Sequence, residues 1–409
     1  MKHIVILFLF TIVSISGFSQ SEGNTNDLAL EYFQKREFEK AAGIYEQLYE
    51  STALEIYFNY LTKCYVELND YKTAEKIIKK RIKNYPSDLK SYVLLGSLYG
   101  KMGNKAEETK QYKLAINKIE ENEQQVIGLA EAFIGLSLLD EAELTYQKGR
   151  KLFKDYGFYN ELAKVYQLKS NYAAMFNEYL NLIEINEDLL EQTQSKIQSI
   201  IVFDTEGAIK NILKEQLLIR VQQKSDVIVF YDLLIWLFIQ EKDFSQALVQ
   251  AIALDKRLKG NGDQVFDIGL LAVSNADYVE GQKCFTYIIN KGADNEYYKS
   301  ALVESLSADF QITTSIEIVQ NDKLLSLSVR YEALLNQLGI SSITIKIIEE
   351  YINLQAYYLN AIPKAVEMIT LGLAADGLSV NDKDQLRLLQ GDIAVLNNEI
   401  WEATLILQE

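Results

Sequence analysis

Along this chain a small residue followed four places later by an aromatic one returns every 33 or 34 residues, a regularity that no single globular core imposes. Ala41 with Tyr45, Ala142 with Tyr146 and Gly281 with Phe285 show it plainly. Counting on the small position, or the residue that takes its place, gives Ala41, Ala74, Glu108, Ala142 and Met175 at steps of 33, 34, 34 and 33. The count resumes at Ala247 and Gly281, and again at Ala365 and Ala403. A unit of this length makes one helical hairpin, which is too small to bury its own apolar face and must lean on its neighbours.

Ahead of each small position lies a first helix with its own recurring set. It reads Leu28, Ala29 and Tyr32; Phe58, Leu61 and Tyr65; Tyr92, Leu95, Gly96 and Tyr99; Leu129, Ala130 and Phe133; and Tyr159, Leu162, Ala163 and Tyr166. These fall on one face of a 3.6-residue helix. A small residue beside a large apolar one lets two helix axes approach, and the aromatics fill the spaces on either side.

The third unit, Tyr92, Leu95, Gly96, Tyr99, Gly103, Tyr112 and Ala115, resembles the tetratricopeptide repeat (TPR) family at the family's spacing. Pro86 stands where a proline ends the second helix of such a repeat, having no amide to donate. Glu108 and Met175 depart from the family's alanine, which puts close packing there in question. The resemblance implies an all-α, right-handed superhelical solenoid of helix-turn-helix hairpins, about nine to eleven in number. Ala253–Leu258 and Trp401–Leu405 also resemble parts of longer exported bacterial TPR proteins, which implies further chain beyond Glu409.

Two stretches break the rhythm. The step from Met175 to Ala247 is 72 residues and that from Gly281 to Ala365 is 84, and the irregular inserts within them keep helical apolar spacing without proline. The expected organisation is a leader at 1–19, five repeats over 20–187 and an irregular helical pair over 188–223. Two repeats over 224–292, a second irregular pair over 293–340 and two TPR-like repeats over 341–409, the last incomplete, complete it. Pro363 is placed in the first turn of a helix, where it is tolerated.

The leader rests on Met1, Lys2 and His3 as a positive head, an apolar run from Ile4 to Val13, and Gly17 and Ser19 as the small pair before cleavage. The run is too short to span a membrane. Export to the periplasm, or secretion, is expected, with no stable membrane insertion after cleavage.

Composition removes whole classes of chemistry. The single histidine, His3, lies in that leader, so histidine-based acid/base work, histidine-activated nucleophiles and the usual zinc sites are excluded from the mature chain. Cys64 and Cys284 belong to different repeats and are expected to pack as small core residues. No glycine-rich phosphate loop follows a strand. No cofactor and no metal are expected. Adjacent carboxylates at Glu107 and Glu108, at Glu120, Glu121 and Glu123, and at Glu349 and Glu350 read as solvated helix faces, because neighbours in a helix point apart. Glu304 before Ser305 lacks the rest of a glycosidase motif.

Against 57 acidic residues the chain has 41 basic ones, for a net charge of −16, which argues against nucleic acid as a ligand. Residues 31 to 118 reverse the balance, with 16 basic to 12 acidic. Lys76, Lys79, Lys80 and Lys83 form a helical stripe there.

In the TPR family the first helix of each pair lines the concave surface. Carried over, the groove-facing positions are Asn59 and Lys63, Ser97 and Lys101, Asn160 and Lys164, and Asp232, Trp236 and Gln240. The order of Asn before Lys departs from the carboxylate clamp of chaperone-binding TPR domains. Trp236 is the candidate aromatic anchor. Many of the 26 tyrosines, such as Tyr65, Tyr99 and Tyr166, sit at packing positions, with the ring inside and the hydroxyl at the edge. The expected function is a non-enzymatic scaffold of the bacterial envelope that binds a protein or peptide partner along the concave face. The alternative is a glycan-binding or glycan-processing protein with a carboxylate site on the solenoid.

Overall fold

The computed structural model describes residues 25–120, 122–315 and 320–406. The leader and the apolar Leu407 therefore lie outside the described residues. All regular structure among the described residues is helical, and no helix there is long and apolar enough to cross a membrane.

The chain divides into two compact units, Met1–Leu182 and Ile183–Glu409. The first contains α1 (25–34), α2 (Phe38–Thr52), α3 (Glu55–Glu67), α4 (Tyr71–Asn84), α5 (Lys90–Lys101), α6 (Lys105–Asn117), α7 (Glu123–Gly135), α8 (Leu139–Leu152) and α9 (Tyr159–Leu168), and the division falls within α10 (Tyr172–Ile185). The second contains α11 (Leu190–Ile201), α12 (Ala208–Gln223), α13 (Ile228–Gln240), α14 (Phe244–Leu258), α15 (Asp263–Ser274), α16 (Tyr278–Ile289), α17 (Tyr298–Thr314) and α18 (Asn321–Leu338). It continues with α19 (Ile345–Asn353), a π-helical turn at Leu354–Tyr358, α20 (Ile362–Ala374), α21 (Val380–Leu396) and α22 (Ile400–Ile406). Pro363 stands in the first turn of α20, and Pro86 follows the end of α4.

Within each unit the order is that of an all-α solenoid. Most helices pack on their successors, as α5 on α6 and α15 on α16. Several also meet the helix two places on, as α5 meets α7, α6 meets α8, α15 meets α17 and α19 meets α21. The segments expected as irregular pairs hold α11 with α12 and α17 with α18.

One turn joins the two helices of nearly every hairpin. A residue with positive φ recurs at Arg36, Asn69, Gly103, Ser137 and Ser170, then at Lys242 and Ala276. The amide that follows it closes on a carbonyl five residues back: Asp70 on Tyr65 at 2.9 Å, Asn104 on Tyr99 at 2.8 Å, Leu138 on Phe133 at 2.9 Å and Asn171 on Tyr166 at 2.8 Å. This satisfies carbonyls at the end of the first helix. Where the residue before the second helix is Asp or Asn it caps that helix, as when Asp70 accepts from the Thr73 amide, Asn104 from Glu107 and Asp277 from Glu280. Six of these seven turns place a side chain in the left-handed region, at a cost of roughly 1 kcal/mol each.

Past the turn, the helices meet at the small positions. A Cβ on Gly96 would lie 2.4 Å from the Tyr112 ring, so α5 and α6 can pack as they do only with glycine there. Glu108, whose presence at the alanine position put close packing in question, is buried: a Cβ on Gly100 would stand 2.8 Å from its carboxyl carbon, and the absence of one makes room. Lys105 pairs with that carboxylate at 2.6 Å. Met175 is fully buried, as are Cys64 and Cys284, whose thiols burial pushes up to about 11 and about 12.

Ala142 is fully enclosed in the core formed by α5 to α9. Replacement by leucine is expected to force α7 and α8 apart and cost about 1 to 3 kcal/mol, read as a lowered midpoint in thermal or urea unfolding. An unchanged midpoint would show that the small position does not set the helix spacing.

Candidate functional site

The first-helix face of the first unit follows from the pattern of burial along α3, α5 and α7. On α3 the buried set is Phe58, Leu61, Thr62 and Cys64, which leaves Asn59 and Lys63, one turn apart, exposed. On α5 the residues Leu94, Ser97 and Lys101 form a strip outside the buried Tyr92, Leu95, Leu98 and Tyr99.

Two clefts open on this face. One, of about 200 Å³, is lined by Glu55, Phe58 and Asn59 of α3, by Lys90, Ser91 and Leu94 of α5, and by Asp88, Ala132 and Leu136 among others. The second, of about 260 Å³, is lined by Lys63, Val66 and Glu67 of α3, by Leu94, Ser97 and Lys101 of α5, and by Phe33 and Leu136. Leu94 and Leu136 belong to both, so the clefts adjoin along an apolar ridge.

Lys90 pairs with Glu55 at 3.4 Å, whereas Lys63 and Lys101 make no ion pair among the described residues. Lys63 Nζ stands 5.7 Å from the centre of the Tyr60 ring. The site thus has an apolar floor, the Asn59 amide, the Ser97 hydroxyl, the Glu67 carboxylate and two ammonium groups outside any ion pair among the described residues.

The wall beneath is rigid. Arg81 of α4 is buried, with its guanidinium 4.6 Å from the centre of the Phe58 ring and 5.1 Å from that of Tyr85. Its Nε donates to Asp88 Oδ2 at 2.6 Å, and Ser91 Oγ donates to the same oxygen at 2.8 Å. Asp88 lines the first cleft with its charge already answered. Farther out, the Tyr99 hydroxyl donates to Glu75 at 2.8 Å and Tyr166 to Glu143 at 3.0 Å, each reaching the residue just after a small position, Ala74 or Ala142, of the preceding hairpin. Tyr65 and Tyr166 are half-buried, and Tyr99 is buried.

The other expected positions are dispersed. Asn160 and Lys164 are exposed on α9 and line neither cleft. In the second unit, Asp232, Trp236 and Gln240 lie at successive turns of α13. Trp236 and Gln240 line an open groove against α11, while the Asp232 carboxylate accepts from Gln264 Nε2 at 3.4 Å and does not line it. Burial raises the Asp232 carboxyl above its ordinary range, and the Gln264 hydrogen bond offsets part of that rise. Of the lysine stripe, Lys79 pairs with Glu75 at 2.5 Å, and Lys76, Lys80 and Lys83 are exposed.

Among the carboxylates, Glu107 pairs with Lys110 at 2.8 Å and Glu304 with Lys346 at 2.6 Å, while Glu121 lies outside the described residues. The expectation of solvated faces fails at Glu108, buried against Gly100, and at Glu350, which is buried as well. Ser307 Oγ donates to its Oε1 at 2.6 Å and the Tyr331 hydroxyl to its Oε2 at 2.8 Å. Adjacent carboxylates in sequence face opposite ways on α19, and its strong amphipathic pattern of Ile347, Ile348, Tyr351 and Ile352 was the signal that one of them points inward. No group of acidic and cysteine side chains suited to a metal ion occurs among the described residues.

No family model and no curated protein sequence matches the chain. Among solved structures it is similar to a chain of Naa15/Naa10 bound to HypK-THB, at 14% identity and a TM-score of 0.29, over 95% of this chain and 63% of that one. It is similar to the P58(IPK) TPR domain at 10% identity and a TM-score of 0.24, over 95% and 98% of the two chains. With yeast Tom70 the identity is 11% and the TM-score 0.30, over 94% and 99%. The chain therefore spans less than two thirds of the length of the first of these.

Burial raises the Glu350 carboxyl above its ordinary range, more than the Ser307 and Tyr331 hydrogen bonds and Lys346 lower it. A carboxyl whose folded-state pKa lies above its unfolded value favours folding on the acid side, and that contribution is lost as pH climbs through the folded-state value. In Glu350→Gln the midpoint is expected to rise relative to the native protein as pH increases from about 4 toward 7. A constant difference across that range, in parallel melting curves, would show that folding does not raise the Glu350 carboxyl.

Proposed function

We propose that this protein is a non-enzymatic interaction scaffold of the bacterial cell envelope, holding an extended segment of a protein partner across the first-helix face of its first unit. The observation that carries the reading is the pair of adjoining clefts, which share Leu94 and Leu136 and are flanked by Lys63 and Lys101. An apolar side chain of the partner fits the floor, carboxylates fit the two ammonium groups, and the Asn59 amide can take a main-chain group. Because Arg81 and Asp88 fix the wall, little ordering is needed on binding.

A photo-crosslinking residue placed at Leu136 in the full chain, expressed in its native cell, is expected to trap one protein. The adduct is expected to be lost in Lys63→Glu with Lys101→Glu and kept in Asn160→Ala with Lys164→Ala, whose positions lie outside the clefts. Equal trapping in both double variants would sink the reading.

The leader supports export as part of the same proposal. Intact-mass measurement of the protein from the envelope fraction is expected to find it beginning at Gln20. A cytoplasmic protein retaining Met1 would refute the envelope assignment.

A further inference from the structure

We propose that the groove between α11 and α13 in the second unit is a binding site for a neutral oligosaccharide. It is an open groove of about 600 Å³ lined by Glu191, Gln194, Ser195 and Gln198 on one side and by Trp236 and Gln240 on the other. The first four stand at i, i+3, i+4 and i+7, a single stripe of α11, and the last two at i and i+4 of α13.

Burial on α13 makes Trp236 dispensable to the core. Leu233, Leu234, Ile235 and Leu237 are each no more than 1% exposed, whereas Trp236 between them is only half-buried. Its indole is the one apolar surface among the lining side chains. Around it stand three carboxamides, a hydroxyl and a carboxylate, and no lining residue is basic.

That inventory fits a pyranose better than a peptide. A sugar ring offers an apolar C–H face, which packs on the electron-rich face of an indole, and a rim of hydroxyls that donate and accept. Carboxamides answer both roles, and Glu191 accepts only. An extended peptide needs pockets for alternate side chains, and with one apolar residue in the lining the groove supplies none. An acidic ligand of either kind would meet Glu191 without a cation to offset it.

One lining group also lacks a partner. Gln198 Oε1 is buried without a hydrogen-bond donor among the described residues, an arrangement that costs free energy unless a donor arrives.

The test uses the full mature chain carrying Trp401→Phe, since Trp401, 86% exposed on α22, is the second tryptophan. Cellotetraose, maltotetraose and chitotetraose are titrated separately while Trp236 fluorescence is followed. An oligogalacturonate and an uncharged Gln- and Ser-rich peptide serve as comparisons. At least one neutral tetrasaccharide is expected to give a saturating change, with affinity lowered about tenfold in Gln198→Ala and in Gln240→Ala. Gln240 is exposed, so its variant is expected to fold. The proposal is overturned if none of the three neutral sugars saturates, if the peptide or the acidic sugar binds as well or better, or if both variants bind unchanged.

Discussion

Where Gly96 presents no side chain, the Tyr112 ring lies against α5, and the distance between the two helices of that hairpin is set by this contact. Ala29, Ala130, Ala163 and Gly269 take the same place on the first helix of four other hairpins, and all are buried. Packing of this kind decides which residues of the first helix remain outside. Asn59, Lys63, Leu94, Ser97 and Lys101 form a surface because the inward positions of α3 and α5 are filled by Phe58, Leu61, Tyr92, Leu95 and their neighbours. The clefts are a by-product of core packing, held open by a buried Arg81 that cannot leave without uncovering its charge.

The two candidate grooves differ in chemistry in a way their charges explain. The first-unit face carries ammonium groups over leucine and phenylalanine, in a long stretch where basic residues outnumber acidic ones. The α11–α13 groove has carboxamides about a single indole and one carboxylate. Two such surfaces on one chain are suited to ligands that do not compete, since what favours one disfavours the other.

Much of this was legible in the sequence, for a physical reason. A period of 33 or 34 residues places each hairpin in the same surroundings as the last, so the buried positions Ala41, Tyr45, Ala142 and Tyr146 announce themselves by recurrence. Asn59, Lys63, Ser97 and Lys101 were indicated by the resemblance to the TPR family and not by the period, and none of them is buried. What stayed hidden was whatever the period does not repeat. Glu350 reads as one of two adjacent acids, and its burial depends on Ser307 and Tyr331, 43 and 19 residues away in an irregular stretch. Leu94 and Leu136 look like ordinary core leucines, and only the packing of α3, α5 and α7 leaves them at a shared edge. The α11 stripe lies in a segment without repeat spacing, so nothing in the residue order aligned it with Trp236. Asn160 and Lys164 satisfy the pattern but line neither of the two clefts.

The recurrent turn with its left-handed residue at Arg36, Asn69, Gly103, Ser137 and Ser170 makes every joint within the first unit interchangeable. Such a chain can lengthen or shorten by whole hairpins: excision of one 34-residue block rejoins a first helix to the second helix it expects. Removal of a single helix would do far more harm than its length suggests. Every later segment would then present its small residues outward and its lysines to the core, so the heritable unit of change in this protein is the pair, and the half-repeat is forbidden.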